Sequence, residues 1–289
     1  MDLGPVGIWS AALRYGDRGE ARDAAGELES LGFGTLWLPG GIGGDIFDAV
    51  AALLEATSRV TLATGIVNLW MHQPAEVATA HARITSAHPD RFLLGVGVSH
   101  APLVDADHPG RYARPLAATG RYLDELDAAS PPVPASERAL AALGPRMLAL
   151  ARDRTRGAHP YLVTPDHTRQ ARAVLGNGPL LAPEQSAVLE SDPARARELA
   201  RRHLSIYLQL PNYVSNLRRL GFADDDVAAP GSDRLVDSVV AWGDTAAIVR
   251  RALGHGDAGA DHVCVQVLAA DPRVLPRDAW RELGPALAA

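Results

Sequence analysis

The sequence contains no lysine; all 28 of its basic residues are arginine. Chemistry that needs an amine nucleophile or a phosphate-binding lysine is therefore excluded, including Schiff-base aldolases, pyridoxal-phosphate enzymes and P-loop nucleotidases. Cys264 is the only cysteine, which leaves no internal disulfide and no thiolate metal cluster. No apolar run approaches the roughly 18 residues of a membrane span, and Met1 to Trp9 lacks the basic, apolar pattern of a leader, so a cytoplasmic location is expected. Acidic residues outnumber basic ones, 34 to 28, for a net charge of −6. An acidic chain with no basic stripe is not expected to bind nucleic acid.

What is there is the composition of a globular protein: 289 residues, 47% hydrophobic and 21% charged. Short β-like runs alternate with helical periodicity along the chain. Strands are expected at 6–9, 35–38, 60–64, 92–98, 138–143, 160–163, 185–189 and 261–267. Helices are expected at about 17–31, 45–57, 74–88, 112–128, 147–155 and 166–175, from about 193, and at 245–253. Residues 205–240 form a partly helical excursion. Strands apolar on both faces imply a buried parallel sheet. Eight strand–helix units at this length predict an α/β fold, a single (β/α)8 TIM barrel spanning 1–289 with an insertion before the last strand.

In such a barrel the site lies at the C-terminal strand ends. There the sequence offers Pro39 to Gly44, Gly65 to His72, Ser99 to Pro102, Gly144 to Met147, and His159, Tyr161 and Thr164. This rim carries no facing pair of carboxylates, which argues against a glycosidase, and no HExxH or facial triad, so no metal is expected. Asp105, Asp107 and His108 fail the calcium-loop spacing and read as a solvated loop. Glycines with Trp9, Trp37, Trp70 and Met71 suit a large flat cofactor that supplies its own chemistry. Trp70, past the end of its strand, is expected to be a wall of the site. The Gly-rich stretches at 40–44 and 95–97 fit a dinucleotide fingerprint poorly, since neither follows the first strand and opens a helix.

Leu143-Gly144-Pro145-Arg146-Met147 runs from a strand through a Gly-Pro turn into a helix. The free N–H groups and positive dipole end of that helix, with Arg146 beside them, predict a phosphate cradle.

Taken together, four segments resemble the luciferase-like monooxygenase superfamily, in particular its branch that uses the deazaflavin coenzyme F420. They are Glu29 to Trp37, Val60 to Ile66, Arg91 to Gly97, and Leu143 to Met147 with Gly157. The resemblance implies a (β/α)8 barrel with the cofactor ring at its mouth, backed by a non-proline cis peptide that falls here at Gly65-Ile66. It places Val98, Ser99 and His100 against the ring and its side chain, and Gly144, Pro145, Arg146 and Met147 at the phosphate. It also implies a homodimer. Alcohol-oxidising relatives carry an Asp-His pair after strand two and an acidic residue after strand four; here Gly40-Gly41 and Val98-Ser99 stand there instead.

The expectation is thus an F420-dependent oxidoreductase moving a hydride between the deazaflavin C5 and a small organic substrate. FMN-dependent monooxygenation and a non-catalytic flavin- or deazaflavin-binding barrel are the alternatives. His100 is the candidate proton-transfer group, with a cofactor-orienting role equally open to it. Trp70, His72, Tyr161 and Tyr213 are the candidate substrate contacts, with Tyr207 beside Tyr213.

Overall fold

A computed structural model describes residues 1–41, 45–106 and 109–288. Gly43, Gly44, Asp107 and His108, singled out above, lie outside the described residues. Among the described residues, eleven strands form one all-parallel sheet. They are β1 (Val6–Trp9), β2 (Thr35–Leu38), β3 (Thr61–Thr64), β4 (Val67–Asn68), β5 (Phe92–Gly97), β6 (Arg138–Leu140), β7 (Gly157–Ala158), β8 (Leu180–Leu181), β9 (Glu184–Leu189), β10 (Val240–Gly243) and β11 (Val263–Val267). The pairing path runs β10-β9-β11-β1-β2-β3-β5-β6-β7-β8, with β4 beside β5.

The sheet curls. Its far end, β8, pairs with β7, while β9, only two residues further along the chain, pairs with β11. The amide of Ala182 bonds to Ala158 O at 2.9 Å, and that of Glu184 to Pro160 O at 2.8 Å. Helices follow the strands as the apolar periodicity predicts, and their first turns are set by local chemistry. Asp17 accepts from Glu20 N ahead of the helix Arg18–Ser30, and Asp45 caps Ile46–Glu55. Proline opens Pro74–Ala87, Pro115–Ala128, Pro145–Arg154 and Pro165–Leu175, where its missing N–H costs nothing.

The plain repeat of eight strand–helix units is not what the sheet shows. The strand expected at 160–163 is absent; the chain pairs earlier, at Gly157–Ala158. Gly157 lies so close to the Leu180 backbone that no Cβ fits there. Pro160 has no N–H to extend the ladder, and Leu162 takes a positive φ of 54°. The apolar run at 160–163 thus belongs to an irregular segment. The 205–240 excursion resolves into the helices Pro211–Arg219, Asp224–Val227 and Asp233–Val239, followed by the unforeseen strand β10.

Two apolar groupings position the site. Trp37, Ala63, Leu93, Ala139 and Cys264 pack inside the curl, where burial raises the Cys264 thiol pKa well above its usual value, so Cys264 is a core residue. Trp37 is fully buried, stacked 4.2 Å from the His159 ring, and is core rather than rim. Leu204, Leu217, Leu235 and Val236 form a separate core for the helical excursion. Each such leucine contributes about 1.5–3 kcal/mol by burial, and together they fix the helices that carry Tyr207 and Tyr213.

Candidate functional site

A cavity of about 690 Å³ opens at the C-terminal strand ends, a size that holds a drug-sized or cofactor-sized ligand. Its floor is built by subtraction of side chains. The Gly65-Ile66 peptide is cis, and glycines surround it. A Cβ on Gly40 would collide with Ile66 O, and one on Gly95 with Thr64 O. A Cβ on Gly97 would come within 2.8 Å of Ile66 Cγ1. Gly40 and Gly97 are therefore spaces cleared for Ile66, Gly95 is cleared for the Thr64 carbonyl, and Gly41 abuts the Tyr15 hydroxyl. Arg14 donates to the carbonyls of Pro39 and Gly40 and holds the β2 exit in place.

Beneath the bulge lie two buried polar atoms, Trp9 Nε1 and His159 Nε2, without hydrogen-bond partners among the described residues. Both residues line the cavity, and a Cβ on Gly65 would sit 2.8 and 2.9 Å from those two atoms. His159 Nδ1 donates to Ala182 O at 2.7 Å, and burial brings its pKa down to about 4. The neutral ring thus leaves Nε2 as a bare acceptor next to an indole donor. Unpaired buried polar atoms are costly, and such a pair at a cavity floor suits a ligand with both an acceptor and a donor.

Of the residues proposed from sequence, Gly65, Ile66, Val98, Ser99, His100, Gly144, Met147, Trp70, Tyr161 and Tyr213 line this cavity. His72, Pro145 and Arg146 are not among the lining residues. His72 packs edge-on to Phe47, ring centroids 6.0 Å apart, and Pro145 and Arg146 are exposed on the first helical turn. Trp70 forms one wall, its Nε1 donating to Val98 O at 2.8 Å. His100 Nδ1 lies 3.3 Å from Asn212 Oδ1, with its ring 5.4 Å from that of Tyr213. Burial lowers its pKa, so at neutral pH it offers an uncharged ring.

Gly144 faces the cavity at the N-terminus of Pro145–Arg154 with no side-chain cap. A guanidinium that sequence reasoning missed lies close by. Arg219 Nη2 would be 3.7 Å from a Cβ on Gly144, and it donates to Asn216 Oδ1 at 3.0 Å. Arg111, also missed, lines the cavity.

The side facing the floor is aromatic and polar. Tyr207 OH donates to Tyr161 OH at 3.0 Å, and Tyr161 OH donates to Gln266 Oε1 at 2.6 Å. Glu184, Ser186 and His203 back these hydroxyls and were not foreseen. Glu184 and Ser186 are two apart on β9, so both side chains leave the same face. Beginning that strand at 185 hid the signal.

Comparisons with known proteins agree with this geometry. Residues 5–130 match the family described as luciferase-like monooxygenase. A segment of 96 residues is 31% identical to a provisionally named coenzyme F420-dependent oxidoreductase of Mycobacterium tuberculosis. Another of 77 residues is 39% identical to 4-hydroxyprotoasukamycin monooxygenase of Streptomyces nodosus subsp. asukaensis. These segments cover 33% and 27% of this chain and 28% and 19% of the two relatives, well under half of either. The fold matches over nearly the whole chain. An F420-dependent secondary alcohol dehydrogenase superposes with a TM-score of 0.74 at 17% identity, covering 99% of each chain. The coenzyme F420-dependent tetrahydromethanopterin reductase of Methanopyrus kandleri gives 0.75 at 15%, covering 98% of each. The FMN-bound oxygenating constituent of 3,6-diketocamphane monooxygenase from Pseudomonas putida gives 0.70 at 14%, covering 98% of this chain and 97% of that one. The resemblance to luciferase-like monooxygenases thus holds in sequence over the N-terminal segment and in fold throughout.

Proposed function

We propose that this luciferase-like chain is an oxidoreductase, a (β/α)8 barrel in outline, that binds coenzyme F420 in the 690 Å³ cavity and acts on a small organic substrate beside it. The observation that carries this reading is the floor: Ile66 raised into the cavity, glycines cleared around it, and an unpaired donor and acceptor beneath. When bound, the deazaflavin supplies a two-electron hydride donor or acceptor at C5. Ile66 would support one ring face, with Tyr161, Tyr207 and Tyr213 lining the same cavity. Trp9 Nε1 would supply a donor, and His159 Nε2 an acceptor, for the polar edge of the ring. Ser99 and His100 would position the side chain, and the helix N-terminus at Gly144, with Arg219 beside it, would take the phosphate; Arg146, exposed on the first turn, stands outside the cavity lining. Trp70 and Tyr213 close the substrate space and exclude water. His100, neutral and held by Asn212, orients the cofactor or takes up a proton from the substrate side.

The test is a titration of the purified protein with F420 and with FMN, following cofactor fluorescence. Roughly micromolar binding of F420, about −8 kcal/mol, with weaker binding of FMN is expected. Tight FMN binding without F420 binding would overturn the cofactor assignment and make the protein a flavin monooxygenase. Binding with no turnover on any substrate would leave a carrier.

A further inference from the structure

We propose that Tyr161 donates and accepts the substrate's proton, and that Glu184, acting through Ser186 and His203, is the proton store behind it. The proposal deepens the oxidoreductase reading and rests on it for the substrate step alone. Its geometry is a continuous contact chain. Ser186 Oγ donates to Glu184 Oε1 at 2.6 Å. His203 Nε2 lies 3.5 Å from Ser186 Oγ and 3.3 Å from Tyr161 OH. Tyr161 lines the cavity, its ring 5.5 Å from that of Trp9 on the floor. Both oxygens contact the same ring nitrogen, so His203 passes a proton at one atom.

Glu184 is an unusual residue to bury. It is 0% exposed, and among the described residues no ion pair reaches it. Its contacts are Ser186 and the amide of Leu162, 3.0 Å from Oε2. The titratable groups around it are Tyr161, Tyr207, Tyr213, Cys264 and His203, none of them cationic at neutral pH. Burial pushes its carboxyl up to about 7, while burial raises the Tyr161 hydroxyl well above its usual range and brings His203 down to about 4. Tyr161 therefore holds its proton across the neutral range, and Glu184 is the member that exchanges one there. A purely structural need, an acceptor for Leu162 N, would be met as well by glutamine.

The step balances. When a hydride reaches one substrate atom, negative charge appears on its neighbour; the Tyr161 O–H bond breaks and a bond to that atom forms. Glu184 gives its proton to Ser186 Oγ as Ser186 passes its own to the bare Nε2 of neutral His203; the imidazolium so formed hands that Nε2 proton to the tyrosinate, leaving Glu184 a carboxylate and His203 neutral again. With the carboxyl protonated, the 2.6 Å contact has Glu184 donating to Ser186. Oxidation runs the chain backwards. A group that accepts a hydride at one atom and a proton at the next is a carbonyl or an activated carbon–carbon double bond.

Infrared difference spectra of the cofactor-free protein, stepped from about pH 5 to about pH 9, test the chain without any substrate. The expected result is a protonated-carboxyl band that titrates near neutral pH, disappears in Glu184→Gln, and carries a tyrosine C–O change lost in Tyr161→Phe and in Ser186→Ala. Absence of a titrating carboxyl band, or its ionisation without any tyrosine change, would overturn the proposal. With F420 bound and a carbonyl substrate turning over, Tyr161→Phe should lower kcat about 100-fold with cofactor affinity unchanged, and Glu184→Gln should flatten the neutral limb of the pH profile. A Tyr161→Phe enzyme as fast as its parent would remove the catalytic role. Failure to bind either F420 or FMN would remove the oxidoreductase reading and leave the spectroscopic result to stand by itself.

Discussion

The floor of the cavity and its aromatic wall are built by opposite means. The floor around Gly40, Gly65, Ile66, Gly95 and Gly97 is shaped by missing side chains, with backbone against backbone. The wall around Tyr161, His203, Tyr207 and Glu184 is shaped by hydrogen bonds among side chains from separate parts of the chain. A floor of this kind fails by steric collision and is insensitive to pH. A wall of this kind tolerates isosteric change and answers to protonation. Substitutions on each side should therefore differ in kind as well as in size.

The largest expected effect is on the floor. Gly95→Ala drives a Cβ into Thr64 O and should disturb the paired 2.8 Å bonds between Gly95 and Thr64 Oγ1. A loss of about 3 kcal/mol, the upper end for overpacking, is expected in urea unfolding, with cofactor binding abolished. A near-neutral result would show that the floor has slack. Glu184→Gln comes next and tests the wall. A carboxyl whose pKa is raised to about 7 in the folded chain binds more protons folded than unfolded. Its stabilising share is present below the unfolded value and is lost as pH rises through 7. Relative to the Gln variant, the parent should lose about 3 kcal/mol between roughly pH 4.5 and pH 8. The buried histidines, whose pKa values are lowered, act in the opposite sense, so the difference between the two proteins carries the test. Parallel unfolding curves at both pH values would contradict a buried neutral carboxyl.

Trp70→Phe should cost about 1 kcal/mol, the net worth of its bond to Val98 O, and weaken ligand binding several-fold by calorimetry. His100→Ala is the smallest on stability, within about 0.5 kcal/mol, and should act on cofactor affinity or on turnover; a change in neither would remove His100 from the site.

The same contrast explains what could be read from the sequence. The floor was legible because glycines at strand ends and short motifs such as Leu94-Gly95-Val96-Gly97 are local signals, and the cis peptide at Gly65-Ile66 followed from the family resemblance. Helix starts were legible from Asp17, Asp45 and the prolines. Of the wall only the tyrosines, Tyr161, Tyr207 and Tyr213, could be named from sequence; Glu184, His203 and Gln266 meet Tyr161 only through the fold. Arg219 was missed for the same reason: it reaches Gly144 from a helix some 75 residues further along the chain. Strands two residues long, such as Gly157–Ala158, have no periodicity to detect.

The most direct measurement is a crystal structure of the protein with coenzyme F420. The account predicts the deazaflavin ring resting on Ile66, its polar edge at Trp9 Nε1 and His159 Nε2, its free face toward Tyr161, and its phosphate at Gly144. A ring stacked elsewhere in the cavity, or a floor that closes over Ile66 and admits no ring, would contradict it.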